Sequence, residues 1–298
     1  MTLSPIVALP IALAGNACLS LGMVLQKKHV AWLGARKRAE SRSTPGFRRD
    51  LVIWTIGFVL MNLQPIFLYI SLFGLPANVA ASTAGSSVAF TALFSVPLLG
   101  ERLSPRRILW TLALFSAIAL AGVSGGRGDS GGGESAAASM SAIFVVFVLP
   151  LVAALLVSRA GRDFPAAGPS PTANVGVRKS GGAMRGTFAA FMGATAGALG
   201  GFMVIPMRVL QSGPGSLESW LFAPWLWLYI AAGVSAFVFS QKAYAAGGLG
   251  TVAPAFYGMQ VLWPALASYL VFGTAFVPFQ AVSFAAIAAA VWFMARPA

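Results

Sequence analysis

Long apolar runs, each about the length that crosses a bilayer, alternate with short polar stretches along the whole chain. Nine runs can be delimited, at residues 5–26, 51–73, 77–99, 107–124, 140–158, 186–208, 223–245, 251–272 and 278–295. A helix needs roughly 20 mostly apolar residues to span hydrocarbon about 30 Å thick, and these runs meet that length. They lack the narrow apolar stripe, with charges opposite, that marks a helix on the surface of a water-soluble core. The predicted fold is all-α: a polytopic membrane protein with about nine transmembrane helices, forming one transmembrane domain over 1–298. The Gly/Ser-rich stretch 125–139 and the Pro/Gly/Ser-rich stretch 160–182 read as flexible connections.

Composition strengthens this reading. Of the 298 residues 58% are hydrophobic and 9% charged, against about 25% charged in a soluble domain. The first apolar run lacks a preceding basic region, so it is expected to be a retained span rather than a cleaved signal peptide.

Charge adds an orientation. The net charge is +13, but the basic residues sit between spans and are not interleaved with aromatics on one face, so a nucleic-acid partner is not expected. Lys27, Lys28, Arg36, Lys37, Arg38, Arg42, Arg48 and Arg49 fall in the first loop. Arg102, Arg106 and Arg107 fall in the third, and Arg159, Arg162, Arg178, Lys179 and Arg185 in the fifth. With Arg296 these lie on one side, whereas Arg127 and Arg208 lie on the other. The positive-inside rule then predicts an external N-terminus, a cytoplasmic C-terminus and residence in a cell or cytoplasmic membrane.

An internal repeat is also visible. Segment 79–107 overlays 252–280 without a gap, with nine of 29 positions identical, among them Gly85/Gly258, Leu93/Leu266, Gly100/Gly273 and Pro105/Pro278. The turn GERLSPRR after the first copy is charged and its counterpart GTAFVPFQ is not, as expected if the two hairpins face opposite sides. LSLGMVLQKK at the end of the first run likewise resembles LGGFMVIPMR in the sixth. The predicted organisation is two inverted four-helix repeats, 1–124 and 186–298, around a spacer helix at 140–158. Inverted repeats that rock about a central site are an architecture of alternating access.

Short motifs carry a family resemblance. QKAYAAGGLGTVAPAFYG (241–258), LLGERLS (98–104) and Gln26-Lys27-Lys28 resemble the drug/metabolite transporter (DMT) superfamily, EamA-like, closest to its NIPA-like magnesium transporter branch. Lys242, Ala243, Val252, Pro254 and Tyr257 are in register with that branch's pattern. The resemblance implies a nine-helix transporter and a divalent cation as one candidate cargo. The chain departs from the branch at Gln64-Pro65, where the family has Gly-Glu, and at Ala245, where it has Asp.

No span contains a mid-membrane carboxylate: the seven acidic residues are Glu40, Asp50, Glu101, Asp129, Glu134, Asp163 and Glu218, all in loops or near helix ends. Magnesium is usually held by one or two carboxylates, and proton relays in membranes use Asp, Glu or His. Cys18 and His29 are the single cysteine and histidine, too few for a metal cluster or a Cys–His nucleophile pair. No catalytic residue, resident metal or cofactor is expected, and the chain is not expected to be an enzyme.

What the spans do contain is a layer of neutral polar groups. The candidate substrate-cavity residues are Asn16, Asn62, Gln64, Ser86, Ser87, Ser235, Gln241, Lys242, Tyr257 and Gln260. Amides and hydroxyls in hydrocarbon must find partners, either one another or a solute. Lys242 could contact an anionic group or snorkel to the headgroups, and Trp54, Trp225 and Trp227 suit interface anchors. The leading expectation is a secondary transporter of a small polar or amphipathic organic solute. The alternatives are a magnesium or other divalent cation transporter and a lipid-binding membrane scaffold. The expected partners are the lipid bilayer and a small-molecule substrate, with a homodimer as a candidate assembly.

Overall fold

The computed structural model describes residues 3–29, 47–71, 73–74, 83–100, 105–125, 140–160, 178–203, 205–206, 221–272 and 278–295. Among them are nine α-helices and no strand. They are α1 (Pro5–His29), α2 (Phe47–Ser71), α3 (Ser86–Leu99), α4 (Pro105–Gly125), α5 (Met140–Ala160), α6 (Arg178–Phe202), α7 (Pro224–Ala246), α8 (Leu249–Phe272) and α9 (Pro278–Ala295). The loop residues 30–46, 101–104, 126–139 and 161–177 lie outside the described residues, as do Arg208, Arg296 and every acidic side chain but Asp50.

Proline and glycine set several ends. Four helices, α1, α4, α7 and α9, begin on a proline, whose fixed φ suits the first helical turn and whose missing N–H costs nothing there. α3 ends at Gly100, with φ 66°, whose N–H bonds Val96 O at 3.0 Å; this left-handed position is cheap only for glycine. Residues 77–82 of the third expected run lie outside the described residues; within the run a 3-10 turn, Thr83–Gly85, leads into α3 at Ser86.

Three helices are long and apolar enough to cross a membrane, Pro5–His29, Arg48–Ser71 and Pro224–Ala246, and four shorter apolar helices accompany them. Large apolar side chains face outward on several helices: Val52, Ile56, Val59 and Ile66 on α2, Leu109 and Leu112 on α4, Val234 and Val238 on α7. Contiguous apolar exposure on this scale is unfavourable in water and ordinary in lipid. These features are compatible with a membrane protein.

α1 packs against α2 and α3, and α6 packs against α7 and α8 in the same way. α4 lies along α9, and α3 touches α8. Small residues allow the closest approaches. Gly22 of α1 faces Gly57 of α2, and a Cβ on Gly22 would lie 2.5 Å from Gly57 O. On α6, Gly193, Gly197 and Gly201 recur every fourth residue and so share one face. A Cβ on Gly193 would sit 2.9 Å from Val252 O and one on Gly201 2.5 Å from Gln260 O, while one on Gly197 would fall on Phe256 O.

The two crossings use equivalent carbonyls, with the facing helix offset by one residue. Asn16 and Ser20 of α1 donate to the carbonyls of Thr83 and Ser87, and Gly197 and Gly201 of α6 abut those of Phe256 and Gln260. Residues 83 and 87 align with 256 and 260 in the sequence repeat. Where one crossing uses polar side chains, the other brings backbone directly against carbonyl.

Candidate functional site

The 3-10 turn at the start of α3 places polar backbone beside α1. Asn16 Nδ2 donates to Thr83 O at 2.6 Å and lies 3.2 Å from Thr83 Oγ1 and 3.1 Å from Ser86 Oγ. Ser86 Oγ in turn donates to Thr83 O at 2.6 Å. An amide in an apolar interior must find partners, and the Thr83 carbonyl supplies one to Asn16.

One turn further along α1, Ser20 Oγ donates to Ser87 O at 2.9 Å and stands 3.3 Å from the Tyr257 hydroxyl of α8. That phenol is also 3.2 Å from Thr91 Oγ1 and 3.0 Å from Met23 Sδ. Asn16, Ser20, Ser87, Thr91 and Tyr257 are each at most 3% exposed. Five neutral polar side chains from α1, α3 and α8 thus share one buried cluster.

A second polar group lies at the end of α1. Gln241 Nε2 of α7 donates to Gln26 Oε1 at 2.7 Å, and Trp54 Nε1 of α2 donates to Gln241 Oε1 at 3.1 Å. Lys27 Nζ donates to Tyr244 O. Trp54 also stacks on Phe58 and meets Phe237 edge-on, with ring centroids 6.1 and 5.8 Å apart. His29 Nδ1 and Asp50 Oδ1, 2.8 Å apart, join the adjoining ends of α1 and α2. Side chains from three helices close this end.

Asn16, Ser20, Met23, Gln26 and Lys27 follow one another at helical spacings of three, four or one residues on the inner side of α1. From Asn16 to Lys27 the helix rises roughly 16 Å, about half the bilayer core. The two clusters therefore form one polar track from the crossing to the end of α1.

The residues singled out from sequence are distributed as follows. Asn16, Ser86, Ser87 and Tyr257 come together, and Gln241 belongs to the second cluster. Asn62 is exposed, its Nδ2 bonded to Phe58 O of its own helix at 2.8 Å. Gln64, Ser235 and Gln260 are half-buried. Lys242 is exposed, its ammonium 5.4 Å from the centroid of the Phe239 ring.

Sequence reasoning left out Ser20, Gln26, Thr83, Thr91 and Tyr244, and read Trp54 as an interface anchor. Spacing from Asn16 would have found Ser20 and Lys27, because side chains four and eleven residues on share a helix face. Thr83 gave no such signal; its role comes from the 3-10 turn. Among the described residues no three His, Cys, Asp or Glu side chains gather where they could hold a metal ion.

No family model, no curated protein and no solved structure matches the chain.

Proposed function

We propose that the chain is a multi-pass secondary transporter of the drug/metabolite type that moves a small polar or amphipathic organic solute by alternating access. The observation that carries this reading is the buried, neutral polar cluster around Tyr257, where α1, α3 and α8 cross. Polar groups placed where helices cross inside an apolar bundle are costly unless paired, and a broken helix beside them is the usual construction of a midplane solute site. The 3-10 turn Thr83–Gly85 at the start of α3 supplies the non-α backbone beside this cluster.

Two inverted repeats, 1–124 and 186–298, flank the spacer α5 in this reading, with nine spans, an external N-terminus and a cytoplasmic C-terminus. The matched packing of α1 on α2 and α3 and of α6 on α7 and α8 supports it, as does the use of equivalent carbonyls at the two crossings. The α4–α9 and α3–α8 contacts each pair an element with its own counterpart. In this reading a solute enters at the polar crossing, whose hydrogen bonds it can exchange, while the glycine crossing stays packed backbone to backbone. The Gln26–Gln241–Trp54 group then closes the cytoplasmic end.

Uptake into proteoliposomes, screened with labelled small organic solutes and with magnesium, tests the proposal. At least one organic solute accumulates, and Asn16→Leu, which strips Thr83 O of its amide donor, lowers the initial rate about tenfold or more at equal amounts of folded protein. Uptake of magnesium alone would instead favour a divalent cation carrier. Silence for every solute would leave a lipid-binding scaffold.

A further inference from the structure

Four buried side-chain atoms in the described chain have no hydrogen-bond partner: Gln26 Nε2, Ser87 Oγ, Tyr244 Oη and Trp263 Nε1. Native interiors leave few such groups. Gln26 and Tyr244 are fully buried and Ser87 is 1% exposed. The first three belong to residues of the polar track: Gln26 is bonded to Gln241 through its oxygen, and the Ser87 and Tyr244 carbonyls accept from Ser20 and Lys27, while the Ser87 hydroxyl lies beside Tyr257 and the Tyr244 hydroxyl beside Ser240.

All four atoms carry protons. An amide NH2 and an indole N–H can only donate, whereas a hydroxyl can do either. The acceptors around them are committed. Ser20 gives its proton to Ser87 O, so it can only accept from Tyr257. The single Tyr257 proton already serves Met23 Sδ, with Ser20 and Thr91 as competing neighbours. Thr83 O accepts from both Asn16 and Ser86. Gln241 Oε1 is held by Trp54. The track keeps an unpaired amide donor at Gln26 and, beside it, the positive charge of Lys27; no carboxylate lies in any predicted span.

We propose that the solute binds the track through hydrogen-bond acceptors, as a carboxylate or carbonyl group received by Ser87 Oγ, Tyr244 Oη and Gln26 Nε2. A cationic solute would find no negative partner among these side chains, and the Lys27 charge would repel it. This deepens the transporter reading and rests on it.

Tryptophan fluorescence of the purified full-length protein in nanodiscs tests the inference, because Trp54 borders the track. Four probes are titrated: butyrate, N,N-dimethylpropionamide, butylammonium and magnesium chloride. Butyrate or the amide gives a saturable change, and Tyr244→Phe and Gln26→Leu each raise its half-saturation concentration about 3–10-fold, the loss of one hydrogen bond. Butyrate alone marks the carboxylate and the amide alone the carbonyl. A saturable response to butylammonium or magnesium without one to either acceptor probe overturns the inference and leaves the transporter standing. An acceptor response that neither variant weakens overturns the assignment of these donors. No saturable response to any probe removes the track as a solute site.

Discussion

Gly197→Leu strongly destabilises the folded state, whereas Gly186→Leu on the same helix leaves it intact. A Cβ at residue 197 coincides with the Phe256 carbonyl and would be within 3 Å of its Cα, so the backbones of α6 and α8 must separate. Side-chain rearrangement cannot absorb that clash, because its partner is main chain. Overpacking of this kind costs on the order of 3 kcal/mol, a large part of the roughly 5–15 kcal/mol that holds a domain together. Separation would also loosen Gly193 against Val252 and Gly201 against Gln260, which share the face. A Cβ at Gly186 meets nothing within 4 Å. Thermal melting of both variants in one detergent, followed by the monodisperse fraction, checks this. Equal melting temperatures would mean that α6 and α8 are not packed backbone to backbone.

Gln241→Leu opens the end of the bundle that the proposed orientation places in the cytoplasm. The substitution removes the bonds to Gln26 Oε1 and from Trp54 Nε1, and both groups lose that partner while that end stays closed. In the open state water can meet them, so the penalty falls on the closed state alone. Interhelical hydrogen bonds in membranes contribute roughly 0.6 kcal/mol each, and the two together with the cost to the groups that lose them give about 1–2 kcal/mol. That bias shifts the balance of open to closed forms about 5–30-fold. Leu keeps the side chain's bulk against Trp54 and Phe237, so packing is the smaller change. Faster reaction of a cysteine introduced on the inner face of α1 with a cytoplasmic maleimide reads the shift. An unchanged rate would show that the amide chain does not hold the end closed.

Much of this architecture is legible in the amino-acid order, and the parts that are not have physical reasons. Apolar runs of span length located nine helices, since length and hydropathy alone carry that signal. They do not register the 3-10 turn within the third run, because Thr83–Gly85 differ from α-helix in hydrogen-bond pattern, not in polarity. Asn16, Ser87 and Tyr257 stood out as polar groups in apolar runs, and the fold brings them to one crossing. Asn62 stood out equally, yet it is exposed and bonded to its own helix. The difference lies in rotation about the helix axis. α2 is apolar around its whole circumference, so its pattern does not say which side turns inward; in a bilayer both sides can be apolar. The recurrence of Gly193, Gly197 and Gly201 announces a close helix contact, but only the packing names α8 as the partner.

Alternating access to the Tyr257 cluster is the central claim, and site-directed labelling tests it most directly. Ser20→Cys is placed on a Cys18→Ser background, since Cys18 is the single native cysteine. The reconstituted protein is exposed to a membrane-impermeant maleimide from one side or the other. Ser20 is fully buried at the crossing, so reaction requires one half of the bundle to open. The account predicts labelling from both sides, with Gln241→Leu raising the cytoplasmic rate and lowering the external one. A cysteine at residue 20 that stays unreactive from both sides, or that reacts from a single side unaffected by Gln241→Leu, would contradict it.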